Sequence, residues 1–385
     1  MISDKIDTSS TSPDVKTVTA TRIDNKCMPS YLMNFGGSVR INPTGVAILC
    51  GIIILLVYFN SGGGAAGGLA GRPGGSTSSQ TVNLKELLSV AISVAEAGGQ
   101  EVVAVRKEAD IGETSKGKTK EGANDPKTAG DMRSHVQMYY GLKKAFPNIQ
   151  IISEEHDEVE VDLSKIPKHS LTHPEVAGKL SDISIEVAAD DVAVWIDPLD
   201  ATQEYTEKLL QYVTTMVCVA VKGVPTIGVI HKPFDNTTKT AWGWADQKAL
   251  SKSVEEDAAK NKNGDIDLSK ARIIVSRSHS GDVEEVAKKV LGSEIKVTPA
   301  GGAGYKSLEV IKGNQDAYIH RTLIKKWDIC AGAAILSALE GKLTTLTGDI
   351  ITYDRADQEK NEGGLLATMH KHSEFLDKLK GLTSR

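Results

Sequence analysis

The spacing of apolar positions changes character several times along this chain. From Met1 to about Arg40 the residues are mostly polar, and no apolar period recurs. That composition predicts a tail without regular structure. An uncharged run follows, Val46-Ala47-Ile48-Leu49-Cys50-Gly51-Ile52-Ile53-Ile54-Leu55-Leu56-Val57-Tyr58-Phe59. Extended back through Ile41, it is long enough for a bilayer, which takes about 17–25 residues. A core helix fits poorly between two flexible stretches, and the preceding polar segment is long for the n-region of a signal peptide. The pattern therefore predicts one transmembrane signal anchor over 41–60. Residues 61–81 are rich in Gly, Ala and Ser and read as a flexible tether.

Beyond the tether the pattern is that of a folded body. Leu84, Leu87, Leu88, Ala91, Ile92 and Ala95 have helical spacing, and a second helix is predicted from Asp131 to Phe146. The charged, Gly-containing stretch between them reads as a loop or hairpin. Ile149 to His156 predicts a short strand ending in acids, and 157–191 reads as an irregular insertion near the functional face. Paired strands are expected at Tyr212–Val221 and Thr226–Ile230. After them come strands from Ala271, Glu294 and Ala317, alternating with helices at Val283–Leu291, Ala303–Ile311 and Asp328–Leu339. That alternation predicts an α/β layered core, with an α+β subdomain over 82–235, an α/β subdomain over 236–376 and a tail over 377–385.

One stretch organises the body: Val192-Ala193-Val194-Trp195-Ile196-Asp197-Pro198-Leu199-Asp200-Ala201-Thr202-Gln203. It begins as a buried strand, breaks at Asp-Pro and restarts as a helix. Asp200 and Gln203 have the spacing of a capping box. Two carboxylates beside a helix N-terminus suit a metal or anion site; an ordinary turn with one capping Asp fits the spacing equally well.

Composition and charge narrow the field. The chain has 385 residues and a formal net charge of -5. That argues against a nucleic-acid polymer as partner, since such binders show a basic stripe. Cys27, Cys50, Cys218 and Cys330 have no paired spacing, so neither a zinc motif nor a disulfide framework is expected. Arg22, Lys26 and Arg40 precede the anchor and only Arg72 soon follows it, which places the tail in the cytosol and the body in the lumen. Asn236-Thr237-Thr238 is an N-glycosylation sequon. Asp131, Glu154, Asp197, Asp200 and Asp328 all fall at element ends, where carboxylates suit hard cations such as Mg²⁺.

Three of these sites carry a resemblance. Glu154-Glu155, then Asp197-Pro198-Leu199-Asp200-Ala201-Thr202, then Trp327-Asp328 resemble the signatures of the inositol monophosphatase superfamily, over about residues 84–375. The resemblance implies a layered α-β-α-β-α sandwich and a lithium-sensitive, Mg²⁺-dependent phosphatase. It implies that Glu154, Asp197, Asp200, Asp328 and the Leu199 carbonyl hold two or three Mg²⁺ ions, and that Asp131 and Thr202 prepare the attacking water. Gln203-Glu204-Tyr205-Thr206, Ser276-Arg277-Ser278-His279-Ser280, Gly301-Gly302-Ala303-Gly304-Tyr305-Lys306 and Lys325-Lys326-Trp327-Asp328 are similar to the 3′-nucleotidase branch. This implies hydrolysis of adenosine 3′,5′-bisphosphate to AMP in a Golgi membrane with the catalytic body lumenal, clearing a by-product of sulfation. Substrate contacts would come from Ala201, Ser276, His279, Gly302 and Lys306, and a homodimer is implied. The alternative is an inositol or other sugar phosphatase with the same metal centre. Ala201 stands where many members of the family have Gly; its amide can still serve a phosphate if its φ is negative.

Overall fold

The computed structural model describes residues 80–380 apart from 119–121, 123, 158–159, 238, 262–264, 278–282 and 355–357, together with two short strands nearer the N-terminus. Those strands, Leu32–Asn34 and Ser38–Arg40, pair antiparallel within the segment expected to be an unstructured tail. The expected anchor over 41–60 lies outside the described residues, as does all of the tether except Gln80 and Thr81.

The body is one compact unit from Thr77 to Arg385. Helix α1 (Leu84–Arg106) starts at Asn83, whose side chain accepts from the Lys85 and Glu86 amides. By length and composition α1 could cross a membrane, but its apolar face lies in the core of the body, so it is a core helix. It packs with α2 (Ala129–Ala145) on one face of a six-stranded sheet. That sheet runs β6-β5-β4-β3-β2-β1, where β1 is Gln150–Ser153, β2 Val192–Asp200, β3 Thr214–Val221, β4 Val224–His231, β5 Thr240–Trp244 and β6 Ala249–Leu250. It is antiparallel except for the β1–β2 pair. It continues to Leu250, past the subdomain boundary expected at 236.

The apolar run of β2 is explained by burial on both faces. Val192, Val194 and Ile196 point to the α1/α2 layer, while Ala193 and Trp195 point to the opposite core. There α4 (Ala303–Ile311) and α5 (Lys326–Ala338) lie between the first sheet and a second. The second sheet has the order β8-β7-β9-β11-β10, with β7 Arg272–Ser276, β8 Lys296–Ala300, β9 Ala317–His320, β10 Lys342–Thr344 and β11 Leu365–Thr368. Its far face is covered by helices Val283–Leu291 and His372–Leu379. The architecture is the expected α-β-α-β-α sandwich.

Two expectations fail. Among the described residues of the insertion over 157–191, none lines the functional cavity. Val176 and Leu180 pack into the α1/α2 core, and Glu186–Ala188 pairs with Thr81–Asn83 beside the start of α1. The cysteines also do not stay apart: Cys218 and Cys330 form a disulfide across 112 residues of sequence. Strand and helix lie a layer apart, so no local spacing could announce the pair.

Candidate active site

The acids meet where β2 ends. In a regular strand Asp197 and Asp200 would face opposite ways. Here Asp197 pairs with Met216 and Asp200 with Thr214, so β2 carries one residue more than β3. That bulge restores both carboxylates to one side. The Glu154, Asp197 and Asp328 carboxylates offer oxygens that all lie within 4.8 Å of one another. Each comes from a different element end: Glu154 follows β1, Asp197 lies near the end of β2, and Asp328 sits in the first turn of α5, accepting from the Lys325 amide at 3.1 Å.

Burial with like charges nearby sets the electrostatics. Burial first, then Glu154, Asp200 and Asp328, raise Asp197 well above the usual carboxylate range. Asp328 is raised the same way, and burial pushes Glu154 up to about 7 against the pull of Lys116. Three converging acids, Asp197 buried and Glu154 and Asp328 half-buried, repel one another unless a cation sits among them. An all-oxygen donor set of this kind fits Mg²⁺ rather than a softer metal. Glu155, 3 % exposed, lies just behind. Lys116, from the hairpin Thr114–Lys118/Asn124–Lys127, ion-pairs with both Glu154 and Glu155, and Lys127 reaches Glu155 at 3.4 Å. Nothing in the spacing of those lysines marked them for this role.

Asp200 departs from its expected local role. The helix after β2, α3 (Thr202–Thr206), is preceded by Ala201 and receives no side-chain cap, and Gln203 instead donates to Glu207. The Asp200 carboxylate accepts from the Ala303 amide at 2.9 Å, the Gly304 amide at 2.8 Å and the Thr214 hydroxyl at 2.9 Å. It therefore caps α4, about a hundred residues away. Ala201 has a φ of 71°, so the negative φ on which its phosphate contact depended is not met. This is the left-handed conformation that Gly adopts freely and Ala does not.

Asp131 and Thr202 are brought together as expected. The Thr202 hydroxyl lies 2.9 Å from Asp131 Oδ1 and 3.0 Å from the Leu199 carbonyl, able to donate to either. Asp131 is held by its own helix start, accepting from the Thr128 amide and hydroxyl, both at 2.7 Å. Burial pushes its carboxyl up to about 6, which suits a proton acceptor near neutral pH.

A cavity of about 520 Å³ opens over these groups, within the size range of small-molecule sites. Ser276, Gly302 and Lys306 line it with Ala201; His279 lies outside the described residues. Gly302 has a φ of 65°, and a Cβ there would stand 2.5 Å from the Tyr212 carbonyl, so this turn requires glycine. Lys306 is buried, and its ammonium donates to the Gly302 carbonyl at 2.6 Å. Burial brings its pKa down to about 8. It anchors the glycine turn as well as facing the cavity. Arg277, which carried no assigned role, bridges to Glu204 at 3.0 Å and Glu207 at 2.9 Å, tying the β7 end to α3. Tyr318, His320 and Trp327 also line the cavity.

Comparison with known proteins agrees with this geometry. Residues 83–379 match the inositol monophosphatase family. The chain is 46% identical over 359 residues to the Golgi-resident adenosine 3′,5′-bisphosphate 3′-phosphatase of Rattus norvegicus, covering 88% of this chain and 95% of that one. It is 44% identical over 337 residues to inositol monophosphatase 3 of Danio rerio, covering 86% and 93%. Among solved structures, inositol monophosphatase from Anabaena shares the fold at a TM-score of 0.52 and 21% identity, over 77% of this chain and 96% of that one. Inositol monophosphatase-II from Staphylococcus aureus does so at 0.54 and 15%, over 77% and 97%.

Proposed function

We infer, because this chain belongs to the inositol monophosphatase family and is a phosphatase, that it removes the 3′-phosphate of adenosine 3′,5′-bisphosphate to give AMP and phosphate. The observation that carries the reading is the convergence of Glu154, Asp197 and Asp328 beside the Asp131–Thr202 pair. Relatives at similar identity bear either the nucleotide or the inositol phosphatase name. The cavity favours the nucleotide: its lining carries Lys306 and Lys325, cations that suit a second phosphate, which a polyol monophosphate lacks.

Glu154, Asp197, Asp200, Asp328 and the Leu199 carbonyl are the ligands proposed for two or three Mg²⁺ ions. Bound there, the ions neutralise phosphate oxygens and acidify a water. Thr202, when it donates to Asp131, presents its oxygen lone pairs to that water and orients it. Asp131 draws the proton through the hydroxyl as the water attacks phosphorus in line with the departing 3′-oxygen. The Gly301–Gly302 turn borders the cavity, while the Ala303 and Gly304 amides at the start of α4 are taken by Asp200. Ser276 and Lys306 line the nucleotide side. Release of phosphate from adenosine 3′,5′-bisphosphate and from inositol 1-phosphate, compared at equal Mg²⁺, tests the substrate. Equal or faster turnover of inositol 1-phosphate overturns it.

The proposed site of action is the Golgi lumen, with the body held by the 41–60 anchor. The basic residues before that anchor support it, and so does the buried disulfide, since the cytosol keeps thiols reduced. Protease added outside intact vesicles should spare the body; digestion reverses the topology. A homodimer is part of the same reading and predicts twice the monomer mass in sedimentation.

A further inference from the structure

The Cys218–Cys330 disulfide lies next to the metal-ligand acids, not in a remote part of the core. Cys218 is in the middle of β3, directly opposite Trp195 of β2. Asp197 is two residues further along that strand. Cys330 lies in the first turns of α5, two residues after Asp328. The S–S bond is therefore a short covalent route between the strand layer that carries Asp197 and the helix that carries Asp328. Both cysteines are buried, at 1% and 0% exposure.

Sheet and helix also approach closely at that point. Gly228 of β4 pairs with Cys218 from the other side. A Cβ on Gly228 would stand 2.2 Å from the Ala331 carbonyl oxygen, next to Cys330. Helix and sheet touch through backbone here, so the height of α5 above the sheet is set at this place. The start of α5 meanwhile carries a carboxylate toward two others, and their repulsion pushes it off the sheet whenever no cation is bound. Packing at the Gly228 contact opposes that push, and the covalent bond opposes it without depending on packing.

We propose that the disulfide is a positioning element for the metal centre. It holds Asp328 within ligand reach of Asp197 and Glu154 before loading, so that cations enter a formed site and not one they must assemble. The inference rests on the metal-phosphatase reading above, and its test separates the two. Full-length wild type and the Cys218→Ala/Cys330→Ala variant are titrated with Mg²⁺ by calorimetry. The Mg²⁺ dependence of turnover is measured alongside. The expected result is a Mg²⁺ dissociation constant at least about tenfold weaker in the variant. The half-saturating Mg²⁺ for turnover should rise to match, while KM for the nucleotide at saturating Mg²⁺ stays unchanged. A lower melting temperature with unchanged Mg²⁺ affinity shows a bond that only stabilises, and overturns the inference. Free thiols at both positions in the oxidatively folded protein overturn it too. Wild type that binds no Mg²⁺ overturns the metal reading instead. If the alanine pair does not fold, Cys218→Val/Cys330→Ala, which keeps more of the volume, takes its place in the same titration.

Discussion

Two groups of carboxylates lie around the candidate site, and their surroundings differ in kind. In one, Glu204 and Glu207 are matched by Arg277. Hydrogen bonds from Gln203 and Arg277 hold Glu207 below its usual range. In the other, Glu154, Asp197 and Asp328 converge with their pKa values raised. Their neighbouring cation, Lys116, arrives on an exposed hairpin. A carboxylate with a fixed counter-charge is structural. Converging carboxylates without a fixed counter-charge for each are arranged for a mobile cation, because the fold tolerates their repulsion only if something recovers it.

The strongest way to break this contrast is Asp197→Asn. Turnover at saturating Mg²⁺ should fall by about 10³-fold or more, while the melting temperature in chelator should rise, since one of the repelling charges is gone. Phosphate release and thermal denaturation of the same preparation check both. Retained turnover sinks the metal assignment, and a fall in the chelated melting temperature sinks the repulsion argument.

Next in size is the pH dependence of the metal-free protein. Glu154 and Asp131 have folded pKa values of about 7 and about 6, above those of an unfolded chain. The native state therefore binds more protons between about pH 4 and 7, and stability falls as pH rises through that window. Melting temperature in chelator should decline over that range, and added Mg²⁺ should flatten the curve. A metal-free protein most stable at pH 7 would contradict it.

Arg277→Gln tests the carboxylates that have a fixed counter-charge. Its ion pairs are partly exposed, so the loss of stability should be about 1 kcal/mol, with Mg²⁺ affinity unchanged. Denaturant midpoints and calorimetry read the two quantities; a large loss of Mg²⁺ affinity would mean that the two carboxylate groups are not independent. The smallest effect is at Ala201. Relief of its positive φ in Ala201→Gly, less the extra entropy of glycine, should gain about 0.5–1 kcal/mol. No gain would mean that the position is not strained.

The sequence carried the elements well where one short range of residues decided them. The both-faces-buried run of β2, the spacing of α1 and the start of α4 at Ala303 were legible because burial imprints its period on neighbouring residues. The three acid signatures were legible for a similar reason: each is a local string at an element end. The sequence also determined the charge asymmetry around 41–60, a segment outside the described residues.

Tertiary structure decided everything that depends on which element ends meet. Asp200 has the spacing to cap its own helix, yet it caps α4, because the β2 bulge turns its carboxylate toward the Ala303 and Gly304 amides. Arg277, Lys116 and the Cys218–Cys330 bond acquire roles only when elements 38 to 112 residues apart in sequence come into contact. Periodicity records which side of an element is buried. It does not record what lies against that side, and in this protein the chemistry sits at those contacts.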